Sequence, residues 1–254
     1  MQLINCAQGS REWHEARAGV ITASMFGEVC KTVNGLNEQQ QKYVSAIMQG
    51  KSEKTALDEA GYKAAPKAEV VSRALNGEQV GEFSNAAKQY AFKLAVERIS
   101  GKLLEEDKFE TFEMRRGREL EPEARFRHEQ EIGEMVEQIG FIKTDDGLFG
   151  ASLDGLVGTD GASEYKCFIS PSSLMPIVLE NDISDCVHQV QGVLWLSVRK
   201  WADFCLYCPA LAAANKDFIR FRTLRDENFI AEMEAKLIKF NKLVCEYETK
   251  LRSK

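Results

Sequence analysis

Apolar residues recur at helical intervals in three long stretches. Ala87, Tyr90, Ala91, Leu94, Ala95 and Ile99 predict a helix over 83–99 with one buried stripe. Val187, Val190, Val193, Leu194 and Val198 predict a second over 185–198, and the pattern from Asn228 to Leu251 predicts a long amphipathic closing helix. A short helix is expected around Ser10–Arg17, ending before Gly19, and another running on from Thr22 or Ser24 through Met25, Phe26 and Val29. The more polar stretch 114–129 also predicts a helix, with Pro122 marking a kink or a restart. A connection with a short helix is expected over 171–180. Short apolar or alternating runs predict strands over 139–143, 148–157, 163–168, 201–207 and 218–223. Between the second and third of these, Gly158 to Ala162 supply a turn whose two glycines are free to take positive φ.

The sharpest chemistry lies on that hairpin. Glu164 and Lys166 are two apart, so on a strand they share a face. Folding about Asp160 sets Asp154 roughly opposite Lys166. Three charges among apolar neighbours are costly unless something pairs them. Two converging carboxylates bind a hard divalent cation through oxygen, and magnesium is the usual choice. Such a cation stabilises charge on a phosphoryl group, and a lysine beside it can hold or deprotonate a water. The pattern D-x9-E-x-K therefore points to metal-assisted hydrolysis of a phosphodiester. The competing reading of the bare pattern is a surface hairpin with a solvated Glu–Lys pair.

Four further residues are candidates. Glu121 shares a helix face with Arg118 and Arg125; it is either a third carboxylate facing the hairpin or a surface acid paired to Arg125. Gln189 either touches a scissile phosphate or the attacking water, or is a helix-surface glutamine. Arg17 and Ser24 suit phosphate contacts, since guanidinium and a helix N-terminus both favour anions; otherwise they are a solvated arginine and a capping serine.

Composition narrows the classes. The chain has 254 residues and a net charge of −6, which argues against a uniformly basic nucleic-acid binder but not against a local basic groove. It has no run of about twenty apolar residues, so no membrane span is expected, and its first residues lack the basic-then-apolar layout of a signal peptide. Seven scattered cysteines fit a reducing compartment, with the cytoplasm as the expectation. A zinc site built from Cys167, Cys186, Cys205 and Cys208 is disfavoured, because Cys205 lies within an apolar strand and no second closely spaced pair exists. His14, His128 and His188 show no metal-type spacing, and no G-x-S-x-G is present.

Residues 36–80 differ in style, being rich in Gln and Ala and divisible into three short helices: one carrying Tyr43, Val44, Ile47 and Met48, one over 52–60 stopped by Gly61, and one over 64–75. Short helices with tight glycine turns are the layout of a helix-turn-helix. Gln41-Lys42-Tyr43-Val44, Thr55-Ala56 and Ala60-Gly61-Tyr62 resemble the N-terminal helix-turn-helix of phage terminase small subunits. Basic and acidic residues nearly balance here, so DNA contact and a packing or partner role both stand. Gly50-Lys51-Ser52 is not a P-loop end, since Ser45 stands where that motif needs its first glycine.

Several separate stretches together resemble one family, the phage lambda exonuclease (YqaJ-like viral recombinase) branch of the PD-(D/E)xK nucleases. They are Trp13-His14 with Arg17 to Ser24, Gly117 with Glu121 to Arg125, Ser152 to Leu156, Glu164 to Cys167, and Gln189-Val190-Gln191. The resemblance covers most of the chain outside 36–80. It implies an α/β fold: a restriction-endonuclease-like core, a mixed sheet flanked by helices, formed by 1–35 and 81–254 and interrupted by the small helical insertion 36–80. It implies that Asp154, Glu164 and the Tyr165 carbonyl bind metal, that Glu121 serves a second metal, that Lys166 activates water and Gln189 helps place it. Arg17 and Ser24 would hold a 5′-phosphate. Two Mg²⁺ per site, with Mn²⁺ as an alternative, would serve 5′-to-3′ degradation of one strand of double-stranded DNA. A ring-shaped oligomer, usually a trimer, and a phage single-strand annealing protein receiving the 3′ tail are also implied, in a bacterial cytoplasm with a phage or prophage origin. The family's usual proline before the metal aspartate is Leu153 here, and the 36–80 insertion is a larger departure. A sequence- or structure-specific endonuclease of the same superfamily and a non-catalytic DNA-binding or packaging adaptor are the rival readings.

Overall fold

The computed structural model describes residues 1–78, 80–104, 112–167 and 170–253, without the side chains of positions 113 and 114. In chain order the elements are β1 (Gln2–Ile4), α1 (Arg11–Arg17), β2 (Ile21–Thr22), α2 (Ala23–Cys30), β3 (Thr32–Val33), α3 (Glu38–Met48), α4 (Glu53–Ala60), α5 (Glu69–Leu75), β4 (Glu82–Phe83) and α6 (Asn85–Ser100). There follow α7 (Phe112–Ile132), β5 (Val136–Glu137), β6 (Phe141–Lys143), β7 (Phe149–Ala151), β8 (Gly155–Val157), β9 (Gly161–Lys166), α8 (Pro171–Glu180), α9 (Val187–Ser197), β10 (Trp201–Tyr207), β11 (Phe218–Leu224) and α10 (Glu227–Arg252). They divide into two compact units, Met1–Glu28 with Gln89–Lys254, and Val29–Lys88.

In the larger unit a five-stranded sheet runs β11-β10-β9-β8-β5. Its β9–β10 pair is parallel and the others are antiparallel. Ala162, Tyr165, Ala202, Phe204, Cys205, Leu206 and Tyr207 on the two central strands are buried, as strands covered on both faces require. Tyr165 meets His128 of α7, whereas Glu164 meets Gln189 of α9. Neighbours on a strand point to opposite faces, so α7 and α9 cover the two sides of β9. A second sheet, β1-β6-β7-β2, is built around Ile21, Phe141 and Phe149.

The expected strand over 148–157 is two strands in different sheets, β7 and β8, broken at Ser152–Asp154. Polar side-chain bonds replace the ladder there: Ser152 receives Trp13 and Arg17, and Asp154 receives the Tyr165 amide. The register also differs from expectation. Gly155 pairs with Ser163 and Val157 with Gly161, which brings Asp154 level with Glu164 rather than Lys166. The cause is a tight turn, with Gly158 at φ +52° and the strand resuming already at Gly161. A side chain at Gly161 would run into the Trp201 ring. Phe168, the expected end of this strand, lies outside the described residues.

Helix α7 runs unbroken through Pro122. Helix α6 starts at Asn85 because Phe83 is taken into a β3–β4 pair. Helix α5 starts at Glu69, after Pro66, which biases Ala65 away from helical angles. No helix among the described residues is long and apolar enough to cross a membrane.

The smaller unit packs α3, α4 and α5 around Tyr43, Val44, Ala46, Ala56, Ala60, Val71 and Ala74. Met48, placed with this stripe from the sequence, is exposed. Asn37 and Gln40 close a reciprocal capping box on α3, and Ser52 caps α4. Gly61 ends α4 at φ +71°, a left-handed position that favours glycine. Position 79, inside the expected 36–80 insertion, lies outside the described residues.

Candidate active site

Every candidate side chain lines one cavity of about 530 Å³ in the larger unit: Arg17, Ser24, Glu121, Asp154, Glu164, Tyr165, Lys166 and Gln189. They arrive from different elements. Arg17 closes α1, whose start Ser10 caps by accepting from the Trp13 amide at 3.2 Å. Ser24 lies in the first turn of α2, Glu121 in the middle of α7, and Gln189 in the first turn of α9. Asp154 sits in the break between β7 and β8, beside Glu164 and Lys166 on β9.

The acidic side of the cavity is buried and crowded. The Tyr165 amide donates to Asp154 Oδ2 at 2.8 Å. Lys166 Nζ donates to Glu164 Oε1 at 2.6 Å, and Gln189 Nε2 donates to the same oxygen. Glu164 Oε2 is buried with no hydrogen-bond partner among the described residues. Arg125 Nη1 stands 3.9 Å from Glu121 Oε1. Burial, followed by the charge of Asp154, pushes both Glu121 and Glu164 up to about 7. Burial likewise raises Asp154, against the pull of Lys166 and the Tyr165 amide. For Lys166, burial opposes charge, but Glu164 and Asp154 outweigh it and hold the ammonium proton well above the ordinary lysine range. In this arrangement Lys166 is a donor.

Among the described residues no three His, Cys, Asp or Glu side chains already stand as a ligand cluster. The donor set nevertheless fits a hard divalent cation. It offers carboxylate oxygens and a strand carbonyl, with one carboxylate oxygen unpartnered and burial raising the proton affinity of all three acids, helped at Glu121 and Glu164 by the charge of Asp154.

The opposite side suits an anion. Arg17 Nη1 donates to Ser152 Oγ at 2.7 Å, and Trp13 Nε1 donates to the same oxygen at 2.9 Å. The guanidinium lies 4.3 Å from the Trp13 ring centroid and 5.8 Å from that of Phe141. Burial lowers its pKa, yet a guanidinium stays charged. Ser152 was not among the candidates. It anchors Arg17 two residues before Asp154, so one short segment serves both the cationic and the acidic wall. Its place in the Ser152–Leu156 stretch, two residues before Asp154, is the hint the sequence holds.

Comparison with known proteins gives the family and the fold. Residues 12–199 match the YqaJ-like viral recombinase domain. The chain belongs to that family. This YqaJ-like chain is similar to the solved structure of an alkaline exonuclease, LHK-Exo, from Laribacter hongkongensis. Identity is 27% and the TM-score 0.64, over 96% of this chain and 97% of that one. The complex of LHK-Exo with dAMP gives 28% and 0.66 over the same shares. A phage-related exonuclease from Haemophilus somnus 129PT, at 13% identity and TM-score 0.52 over 88% and 97%, shares the fold. The YqaJ-like chain thus has the PD-(D/E)xK-type α/β fold expected of it. No curated protein matches its sequence.

Proposed function

We propose that the chain is a magnesium-dependent deoxyribonuclease. It removes mononucleotides from the 5′ end of one strand of double-stranded DNA and leaves 3′ single-stranded tails. One juxtaposition carries this reading: Glu121, Asp154, Glu164 and Lys166 face the same cavity as Arg17 and Ser24. Acid–lysine clusters suit phosphodiester hydrolysis. An arginine and a helix N-terminus in the same cavity suit the terminal phosphate. Family membership and the exonuclease activity named for LHK-Exo support the choice of reaction, and the dAMP bound to that protein is a product of the kind proposed.

Asp154, Glu164 and the Tyr165 carbonyl would hold one cation and Glu121 would serve a second. When bound, magnesium would neutralise charge on the scissile phosphate and lower the pKa of a coordinated water. Lys166 donates to that water and orients it for in-line attack, and Gln189 fixes Glu164 and the water's place. Arg17 and Ser24 hold the 5′-phosphate and so set the cut one nucleotide from the end.

A closed circle tests the reading against its nearest rival. With magnesium, a linear 5′-phosphorylated duplex is expected to yield mononucleotides while a covalently closed circle stays intact. Nicking of the circle would favour the endonuclease. Cleavage of neither would favour a DNA-binding adaptor organised around α3–α5. Arg17→Ala is expected to lower the preference for 5′-phosphate over 5′-hydroxyl ends by about tenfold to a hundredfold, the worth of charge-assisted hydrogen bonds. Unchanged discrimination in a competition digest would remove Arg17 from this role. The same reading includes a ring-shaped trimer around the DNA and an annealing protein that takes the 3′ tail. Family membership supports both, and light scattering of the purified chain tests the first.

A further inference from the structure

A second cavity, of about 530 Å³, shares Arg17, Thr22 and Ser24 with the first. Its character is different. No carboxylate of the acidic cluster lines it. Its walls are Val20, Met25, Tyr90, Phe92, Leu94 and Leu104, with Gln89 and Lys93 also lining it. Phe92 on α6 and Leu104 beyond its end are 47% and 49% exposed, although Ala87, Ala91, Leu94 and Ala95 of α6 are buried; Ile99, expected in that stripe, is exposed as well. Exposed apolar groups gathered at a cavity mark a binding surface more often than isolated ones do.

The wall is also built, at some cost. Glu97 is 1% exposed. It accepts from the Gly19 amide at 2.9 Å and from the Leu104 amide at 3.2 Å. Arg98 Nε donates to the Gly19 carbonyl at 2.9 Å. Burying a carboxylate is unfavourable unless it is well satisfied. What this one achieves is to fix the turn after α1 and the Leu104 segment onto α6. Tyr90 joins the same frame: its hydroxyl accepts from the Thr22 amide at 3.1 Å, and its ring stacks on Phe240.

We propose that this cavity receives the 5′-terminal nucleobase of the strand being degraded. The inference rests on the nuclease reading and deepens it. With the terminal phosphate on Arg17 and Ser24 and the scissile phosphate on the acidic side, the base attached between them needs a place. A largely apolar wall with a half-exposed phenyl ring, adjoining the phosphate-binding arginine, fits a planar aromatic group joined to an anion. Stacking accepts every base, because each has a π-face. Such a subsite is indifferent to sequence, as an enzyme that must pass along any DNA requires. Holding the terminal base here also takes it out of its pair before the cut.

The test compares ligands that differ only in the base. The full chain with magnesium is titrated calorimetrically with dAMP, with dTMP and with 1,2-dideoxyribose 5-phosphate, which keeps sugar and phosphate alone. Both nucleotides are expected to bind about tenfold more tightly than the base-free compound, the worth of one stacked base. Phe92→Ala, a change at a half-exposed position, is expected to erase that gap while the base-free compound binds as before. Equal affinities in the unsubstituted chain would overturn the proposal. So would a gap that survives Phe92→Ala, which would put the base elsewhere, or no measurable binding of any of the three. A linear duplex digested in parallel separates the two readings: a base-dependent gap in a chain that cleaves nothing would keep the subsite and remove the nuclease.

Discussion

Asp154→Asn is expected to abolish DNA cleavage while making the metal-free protein more stable. The substitution keeps the shape of the side chain and an oxygen for the Tyr165 amide, which donates at 2.8 Å. It removes the negative charge that, after burial, is the main reason Glu121 and Glu164 are pushed up to about 7. Losing a metal ligand removes several kcal/mol of transition-state stabilisation, or roughly a thousandfold or more in rate. Losing a like-charge neighbour stabilises the fold, and each kcal/mol gained is worth about 2–4 °C in a chain of this size. A quantitative digest and a thermal melt of the same preparation check both. An active variant, or an inactive one that melts lower, would contradict the assignment. The titration has a definite sign. A carboxyl whose folded pKa is raised binds its proton more tightly in the folded state, so stability falls as pH rises between the unfolded value near 4.3 and about 7. The melting temperature without metal is therefore expected to rise from pH 8 to pH 5, less so in Asp154→Asn. Magnesium is expected to stabilise more at pH 8 than at pH 5. A flat metal-free profile across that range would show that neither burial nor the charge of Asp154 raises these acids.

Much of this site was legible because it depends on local period. Glu164 and Lys166 share a face by alternation alone, and one short hydrogen bond joins them. The amphipathic α10 was equally plain. What was not legible depends on partners distant in sequence. The level of Asp154 follows from a turn whose length only the paired strands reveal. The break at Ser152–Asp154 is not marked in a run that reads as one strand, because its cause is Trp13 and Arg17 reaching across from α1. Helix α7 was itself expected over 114–129, but its buried face was not. Its buried stripe is Leu120, Ala124 and His128, two small or apolar residues and a histidine one turn apart each. Such a face gives little hydrophobic period, because its inner end packs through hydrogen bonds rather than through apolar area.

That inner end leads to the second large effect, at Asp203. This carboxylate on β10 has no exposure, and neither has His128 on α7. Arg222 grips it twice, at 2.8 Å from both Nε and Nη2, and Arg220 Nη1 stands at 3.3 Å. His128 Nε2 is 3.0 Å from Asp203 Oδ2, and His128 Nδ1 is 2.9 Å from the Tyr165 hydroxyl. Tyr165 in turn separates Glu164 from Lys166 and gives its amide to Asp154. The network therefore ties α7, with Glu121, to β9, with the rest of the acidic site. Burial alone would raise Asp203, but hydrogen bonds from Arg222 and His128 and the charges of both arginines hold it well below the usual carboxylate range. Removing one member of a buried ionic group costs about 3–5 kcal/mol. Here the arginines reach solvent and can rehydrate, so Asp203→Ala is expected near the low end, about 3 kcal/mol, or a fall of roughly 6–12 °C in melting temperature. The depressed pKa gives the opposite pH sign from the active-site acids. Between the folded and unfolded values the unfolded chain binds more protons, so the contribution of Asp203 is full above about pH 4 and is lost as pH falls through its lower folded value. The gap in stability between the unsubstituted chain and Asp203→Asn should then be constant from pH 8 to pH 5 and shrink below pH 4. A gap that persists undiminished to pH 2 would mean that packing, and not the charge of Asp203, holds α7 to the sheet.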